Sequence, residues 1–299
     1  MRKIAILNQK GGVGKTTTAV NLSAGLSRNN KKVILIDLDP QGDIGFCHST
    51  YSGYNIYHFL MGYVELKECI SQIAKNLDII YADYKLSEAE EQLGNVAIDI
   101  FAKKLSELDG YDYIIIDCPP SLRLITKMAL NFVNEVIIPT STDVLGYNSL
   151  EKTVKTILSV TKVNSHKVSI SCILPTLFDK RNKICVEILT KIRKEFTQLL
   201  VTTPIRINSK LKESPRAKMS IFSYEPKSSG AEDYWNFVRH VLLIESIYDL
   251  KYDEEQRLIA LREYYDNGRI SVNEKHGNIK LGTKILNSEE VLSDTHGIA

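Results

Sequence analysis

Short apolar runs rich in isoleucine and valine alternate along the chain with longer segments of helical period. Residues 4–7, 33–36, 77–81, 113–116, 136–138 and 168–174 read as strands; residues 16–28, 86–108, 122–132, 148–163, 183–199 and 231–248 read as helices. Parallel strands need crossover connections, which helices supply. The alternation therefore predicts an α/β fold, a mostly parallel sheet covered by helices on both faces in three layers. In such a sheet ligands belong at the carboxyl ends of the strands. Beyond residue 248 the strand pattern stops. Residues 253–265 read as one further helix with Leu258, Ile259 and Leu261 as a narrow apolar stripe, and from Asp266 onward Gly, Asn, Ser, Lys and Glu dominate. The expected organisation is one domain over residues 1–250 and a C-terminal extension over 251–299, partly helical or disordered.

Composition narrows the class only a little. The 299 residues are 43% apolar and 25% charged, ordinary for a soluble globular protein, and the net charge of +2 is too small to argue for any partner. No run of 18 or more apolar residues occurs, and Met1-Arg2-Lys3 passes directly into Ile4-Ala5-Ile6-Leu7, too short for a signal-peptide core. A cytoplasmic protein is expected. Cys47, Cys69, Cys118, Cys172 and Cys185 are scattered and form no C-x-x-C pair, which fits reduced thiols packed as small apolar residues.

The chemistry is concentrated at three strand ends. The first strand runs into Asn8-Gln9-Lys10-Gly11-Gly12-Val13-Gly14-Lys15-Thr16-Thr17, glycines between a strand and a helix. A backbone that wraps a phosphate needs φ values that side chains penalise, and its N–H groups and the positive end of the helix then face the anion. In such a loop Lys15 reaches the terminal phosphates and the Thr16 hydroxyl ligates magnesium. The second strand ends in Asp37-Leu38-Asp39-Pro40-Gln41-Gly42, whose aspartates alternate to one side and suit a hydrated magnesium ion and an attacking water. A purely capping role for them is the plainer alternative, since Asp before Pro is common in turns. Tyr113 to Asp117, followed by Cys118-Pro119-Pro120-Ser121, is a buried-type strand that closes on a third carboxylate. The six histidines have no metal spacing, so the site is suited to phosphoryl chemistry by positioning and charge.

One feature departs from the generic G-x-x-x-x-G-K-[ST] loop: Gln9 replaces the first glycine and a second lysine, Lys10, precedes the others. Lys10 to Thr16 resembles the deviant Walker A box of the ParA/MinD superfamily, and the likeness to small ParA-type (Soj-like) partition ATPases extends over roughly residues 2–248. Thr17-Thr18-Ala19-Val20-Asn21-Leu22, Asp39-Pro40-Gln41-Gly42, Lys210-Leu211-Lys212-Glu213-Ser214-Pro215 and Tyr224-Glu225-Pro226-Lys227-Ser228-Ser229-Gly230-Ala231-Glu232 also look like family segments. The resemblance implies a P-loop NTPase fold, with ATP and Mg2+ held by Lys10, Gly11, Gly12, Val13, Gly14, Lys15, Thr16 and Thr17. It implies that Lys10 acts on the partner's nucleotide in a sandwich homodimer, that Asp39 supports the hydrolytic water, that Asp37 and Asp117 join Thr16 around the metal, and that Pro215 contacts the base. Hydrolysis is expected to be slow until a partner completes the site.

The resemblance also implies a role. Arg206, Lys210, Lys212, Arg216, Lys218 and Lys227 face mainly Glu213 and Glu225, the strongest local basic excess. Shared on one face of an ATP-bound dimer, Lys210, Lys212, Arg216, Lys218 and Lys227 would grip DNA phosphates without sequence preference; a solvated charged loop is the alternative reading. Ser229 stands where related proteins often carry a second DNA-contacting arginine. The chain begins almost at its first strand, without a helix-turn-helix, so operator binding is not expected. The implied cycle joins two subunits with ATP, places the dimer on nucleoid DNA and releases it when a ParB-type centromere-binding protein stimulates hydrolysis, to segregate a plasmid or chromosome. The competing reading, a MinD-like membrane-associated positioning ATPase, needs a basic amphipathic helix at the C-terminus, and Glu289, Glu290 and Asp294 interrupt that stretch, so no membrane partner is expected. An iron–sulfur reductase lacks its cysteine pair.

Overall fold

The computed structural model describes residues 1–46, 53–94, 97–163 and 168–249, with two short strands at 271–272 and 279–280. The strands are β1 (Arg2–Ile6), β2 (Val33–Asp37), β3 (Ile70–Ala74), β4 (Leu77–Ile80), β5 (Tyr113–Asp117), β6 (Glu135–Ser141) and β7 (Ser169–Thr176). They form one seven-stranded sheet in the order β3-β4-β2-β5-β1-β6-β7, parallel except for β3 at one edge. The helices are α1 (Lys15–Arg28), α2 (Asp43–Phe46), α3 (Ile56–Leu60), α4 (Leu86–Gln92), α5 (Ala97–Leu105), α6 (Leu124–Phe132), α7 (Val144–Val163), α8 (Lys183–Glu195), α9 (Ser209–Glu213), α10 (Ile221–Tyr224) and α11 (Ser229–Asp249). Every residue of β2, β5 and β6 is buried, as the apolar runs of an inner parallel sheet require.

Two expectations need correction. The single helix expected over 86–108 is two helices: α4 ends at Gln92, Leu93 turns extended, and Gly94 follows. Glycine costs a helix interior roughly 1 kcal/mol relative to alanine, enough to place a break where packing does not oppose it. No strand was expected before residue 77, yet residues 70–74 form β3, which pairs antiparallel with β4 through a two-residue turn in which Asn76 takes φ 61. Its half-exposed pattern is that of an edge strand, and its polar residues hide the periodicity.

The chain divides into two compact units, Met1–Val238 and Arg239–Ala299. The first holds the sheet. In the second, where no strand was expected, Ser271 pairs with Lys280 and Val272 with Ile279. The helix expected over 253–265 and Cys47 lie outside the described residues. Cys69, Cys118, Cys172 and Cys185 are free and buried. Among the described residues no helix is long and apolar enough to cross a membrane.

Candidate nucleotide site

Register places the acids. β5 pairs with β1 on one side and β2 on the other, so Asp117 lies level with Ile6 and with Asp37. Two carboxylates therefore stand on adjacent strand ends beside the start of the glycine loop. Both are buried, and neither Oδ2 of Asp37 nor either oxygen of Asp117 makes a well-formed hydrogen bond within the protein. Burial, reinforced by the charge of Asp117, drives the Asp37 carboxyl well above the usual range. Burial pushes Asp117 up to about 7, against the opposing influence of the Thr16 hydroxyl and the Lys15 ammonium. Such a pair is stable only when protonated or facing a cation.

The turn after β2 uses its acids twice. Asp37 Oδ1 accepts the Asp39 N–H at 2.9 Å and Asp39 Oδ1 accepts the Gln41 N–H at 3.0 Å, so the capping duties are real. Asp39 also lines the cleft, whereas Asp37 is fully buried, with its Oδ2 lacking a hydrogen bond within the protein. Gly42 (φ +65) passes so close to the Ala82 carbonyl that a Cβ would lie 2.8 Å from it, which holds this turn against the neighbouring chain.

The glycine loop is an open cradle. Gly12 and Gly14 take φ +74 and +87, and a Cβ on Gly11 or Gly12 would meet nothing within 4 Å; the space outside the loop is free for a ligand. Lys15 opens α1, is 6% exposed, and its Nζ donates to the Lys10 carbonyl at 3.2 Å. Burial lowers its pKa, opposed by Asp117 and Asp39. Val13 is held from behind, its carbonyl accepting from Thr176 Oγ1 at 2.8 Å.

Asn8 organises the loop from within and was not singled out by the sequence reading. Fully buried, it donates from Nδ2 to the Pro139 carbonyl (2.7 Å), while Oδ1 accepts from the Lys10 N–H (2.9 Å) and Ser149 Oγ (2.7 Å). Gln9 adds bonds to Thr153 and Thr156, so α7 is fastened to the loop along one polar face. Such a polar stripe on a helix was the available signal.

Lys10 points elsewhere. The cleft wall begins at Gly11, and Lys10 Nζ donates to Ser141 Oγ (3.0 Å) and to both oxygens of Asp143 (2.9 and 3.1 Å). Asp143 also caps α7 by accepting the Gly146 N–H at 2.7 Å. Burial works against its charge, but the bonds from Ser141, Lys10 and Gly146 hold its pKa below the usual carboxylate range. Ser-Thr-Asp before a helix is a start signal that could have found it.

The cleft has two lobes. One, ≈ 570 Å³, runs from Gly11 to Thr17 past Asp39 and Asp43 to Asn208, Leu211, Lys212 and Pro215. The other, ≈ 460 Å³, lies between Thr16, Val20 and Asn21 on α1 and Pro215, Arg216 and Met219. Phosphates suit the first and a planar base the second, with Pro215 in both walls. Asp43 lines both lobes and was also missed by the sequence reading.

The oxygen donors fit magnesium. Thr16, Asp37 and Asp117 are hard ligands, and the buried oxygens Asp37 Oδ2 and both of Asp117, which lack well-formed hydrogen bonds, call for a cation. Among the described residues no three acidic, histidine or cysteine side chains gather closely enough to hold a metal alone. Magnesium is usually held by one or two carboxylates plus phosphates, which matches that count. A consequence is measurable. A carboxyl with a raised folded pKa binds more protons than the unfolded chain between about pH 4 and 7, so it lowers stability as pH rises through that window. The nucleotide-free protein should lose Tm between pH 5 and 8, and Asp117→Asn should flatten that slope, stabilising the protein at pH 8 by on the order of 2 kcal/mol. An unchanged slope in thermal melts would show that Asp117 is not the group responsible.

The basic residues are not one patch. Arg206 is consumed by Asp233 and Glu232, and Lys210 pairs with Glu213 at 2.8 Å. Glu213 belongs to the stretch whose charge was counted along the sequence, whereas Asp233 and Glu232 lie beyond it and come to Arg206 only through the fold. Lys212 and Arg216 line the cleft, while Lys218, at φ +57, and Lys227 are exposed.

Known proteins align with this arrangement. The family described as AAA domain matches residues 1–170. The sporulation initiation inhibitor protein Soj of Bacillus subtilis is 36% identical over 251 residues, covering 80% of this chain and 97% of that protein. A plasmid partition protein of Borrelia burgdorferi bound to AMPPNP superposes with a TM-score of 0.69 at 26% identity, covering 82% of this chain and 99% of that one. Cobyrinic acid a,c-diamide synthase of Mycobacterium smegmatis, solved with an ATP analogue and magnesium, superposes with a TM-score of 0.70 at 26% identity, covering 90% and 97%.

Proposed function

We infer the function from one premise: the chain belongs to the ParA/MinD superfamily of P-loop ATPases, on its Soj-like branch. It is an ATPase of the partition type. Beyond that premise, the proposed cycle is that ATP joins two copies face to face, the dimer binds DNA without sequence preference, and a ParB-type partner stimulates a slow hydrolysis that separates them.

The two lysines of one loop carry this reading. Lys15 is buried inside the cleft beside Asp117, where it neutralises the terminal phosphates. Lys10 lies outside its own cleft, anchored to Ser141 and Asp143. A single-site phosphate loop has no use for a second lysine there; a second copy laid across the cleft does. Its 27% and 47% exposed ion pair is weak enough to exchange for a phosphate contact.

Within the site, the N–H groups of residues 11–17 bind phosphate, Asp39 orients the attacking water and accepts its proton, and Thr16, Asp37 and Asp117 hold the metal shell. Magnesium, when bound, neutralises charge developing on the phosphate oxygens. Pro215 packs on the base. Lys212, Arg216, Lys218 and Lys227 supply the DNA contacts, Lys210 less so because Glu213 already claims it.

The test is fluorescence anisotropy of a random-sequence duplex titrated with the full chain in magnesium, with ATP or ADP, at several salt concentrations. Binding should require ATP and weaken steeply with salt, several released counterions giving a loss of roughly 10³-fold or more between 50 and 200 mM. Absence of binding in both nucleotide states overturns the DNA reading.

A further inference from the structure

The cleft wall facing the phosphate loop is one stretch, residues 205–215, irregular up to the short helix α9. Such a wall holds its place only where it is tied. On one side the Ile205 N–H donates to the Pro175 carbonyl (2.8 Å) and the Ile207 N–H to the Phe178 carbonyl (3.0 Å), which fixes it to the end of β7. On the other side Tyr224 of α10 donates to Glu213 Oε2 (2.8 Å), and the remaining ties run to the first turns of α11.

Arg206 is the centre of that attachment. Its backbone N–H donates to Asp233 Oδ2 (2.8 Å), Nε to both oxygens of Asp233 (3.0 Å each) and Nη2 to Oδ1 (2.6 Å). Nη2 also reaches Glu232 Oε2 (2.6 Å) and the Ser229 carbonyl (3.3 Å). Two residues on, Asn208 Nδ2 donates to Ser229 Oγ (2.8 Å), and a Cβ on Gly230 would lie 2.8 Å from Leu211, so helix and wall are in direct contact. The next residue of α11 reaches the opposite side of the cleft: Tyr234, buried, has its hydroxyl 3.2 Å from Thr18 Oγ1 on α1, the helix that the phosphate loop opens. One turn of α11 thus spans from the phosphate-loop helix to the far wall.

The two acids on Arg206 are unequal. The Asp233 side chain is 8% exposed and grips both the backbone and the guanidinium, the geometry of strong charge-assisted bonds. Glu232 is 65% exposed and makes one bond, a solvent-screened pair of small consequence.

We propose that Asp233 is a positioning residue for the nucleotide: acting through Arg206, it sets the distance between α1 and the wall at residues 205–215. Because Lys212 and Arg216 belong to that wall and its continuation, the same clasp makes the placement of the basic side chains depend on what fills the cleft. This second consequence rests on the DNA-binding reading above. Coupling of this kind is reciprocal: if ATP raises DNA affinity by some factor, DNA raises ATP affinity by the same factor.

The experiment uses the full chain with fluorescent ADP and ATP analogues in magnesium, comparing wild type, Asp233→Asn and Glu232→Gln. Asp233→Asn should weaken nucleotide binding about tenfold through misplacement of the wall and lower Tm, since it leaves the Arg206 charge without its buried partner, while Glu232→Gln stays within about twofold. Should Asp233→Asn fold poorly, Arg206→Lys keeps the charge but loses the planar fork, and should shift affinity in the same direction. Nucleotide affinity within twofold of wild type in both variants overturns the proposal. In the DNA arm, the ratio of affinities with ATP and ADP should shrink in Asp233→Asn. If that ratio is preserved while nucleotide binding weakens, the coupling is overturned and the positioning role stands. If wild type binds no DNA at all, the DNA reading fails and the nucleotide arm alone decides the role of Asp233.

Discussion

Replacing Lys15 with alanine is expected to weaken ATP binding in magnesium by roughly 10²-fold or more and to reduce phosphate release below detection. The side chain is 6% exposed and lies in a wall that also presents Asp39 and Asp43. Burial lowers its pKa, and the charges of Asp117 and Asp39 work against that, favouring the protonated form. Removing it leaves buried carboxylates facing the phosphates, so like-charge repulsion adds to the lost attraction. The backbone cradle from Gly11 to Gly14 does not depend on this side chain, and the fold should persist. Titration of a fluorescent ADP analogue, alongside a thermal melt, separates the two effects. Normal turnover in this variant would remove the phosphate-loop assignment.

Asp39→Ala is expected to do the reverse: binding of ATP stays within about threefold of wild type, while hydrolysis falls by roughly 10²–10⁴-fold, the usual value of a positioned general base. The carboxylate is 9% exposed, lines the phosphate lobe and is not paired with a lysine in the cleft wall by any described ion pair. Its loss should trap the ATP-bound dimer, seen as a lasting increase in mass by light scattering after ATP addition. Because Asp39 also caps Gln41 at 3.0 Å, alanine loosens the turn as well. Asp39→Asn keeps that acceptor and discards the base. Equal loss of turnover in both variants assigns the effect to proton chemistry, whereas full activity in the asparagine variant would reduce Asp39 to a cap.

Legibility was uneven for physical reasons. The inner strands were readable because residues 113–117 and 33–37 are apolar runs closed by a charge, a pattern buried parallel strands must have. β3 was not, since an edge strand half in water carries polar residues that erase the period. The phosphate loop was readable because every part of it is contiguous. Asn8 was quoted without a role, because apart from Lys10 its partners, Pro139, Ser149 and Thr153, all lie more than 130 residues away. The basic stretch was overread for the same reason. Charge counted along residues 206–227 cannot reveal that Asp233, 27 residues after Arg206, takes its guanidinium.

By itself, then, the sequence determined the alternating strand and helix pattern, the glycine loop with its two lysines, and the carboxylates that end β2 and β5. These depend on residues within a few positions of one another, where backbone conformation and burial leave few alternatives. Only the tertiary structure decided which of them meet. It set Asp37 level with Asp117 by strand register, turned Lys10 away from its own cleft onto Asp143, and spent Arg206 on α11. Register, side-chain direction and ion pairing are settled by packing between distant segments, and no local pattern encodes them.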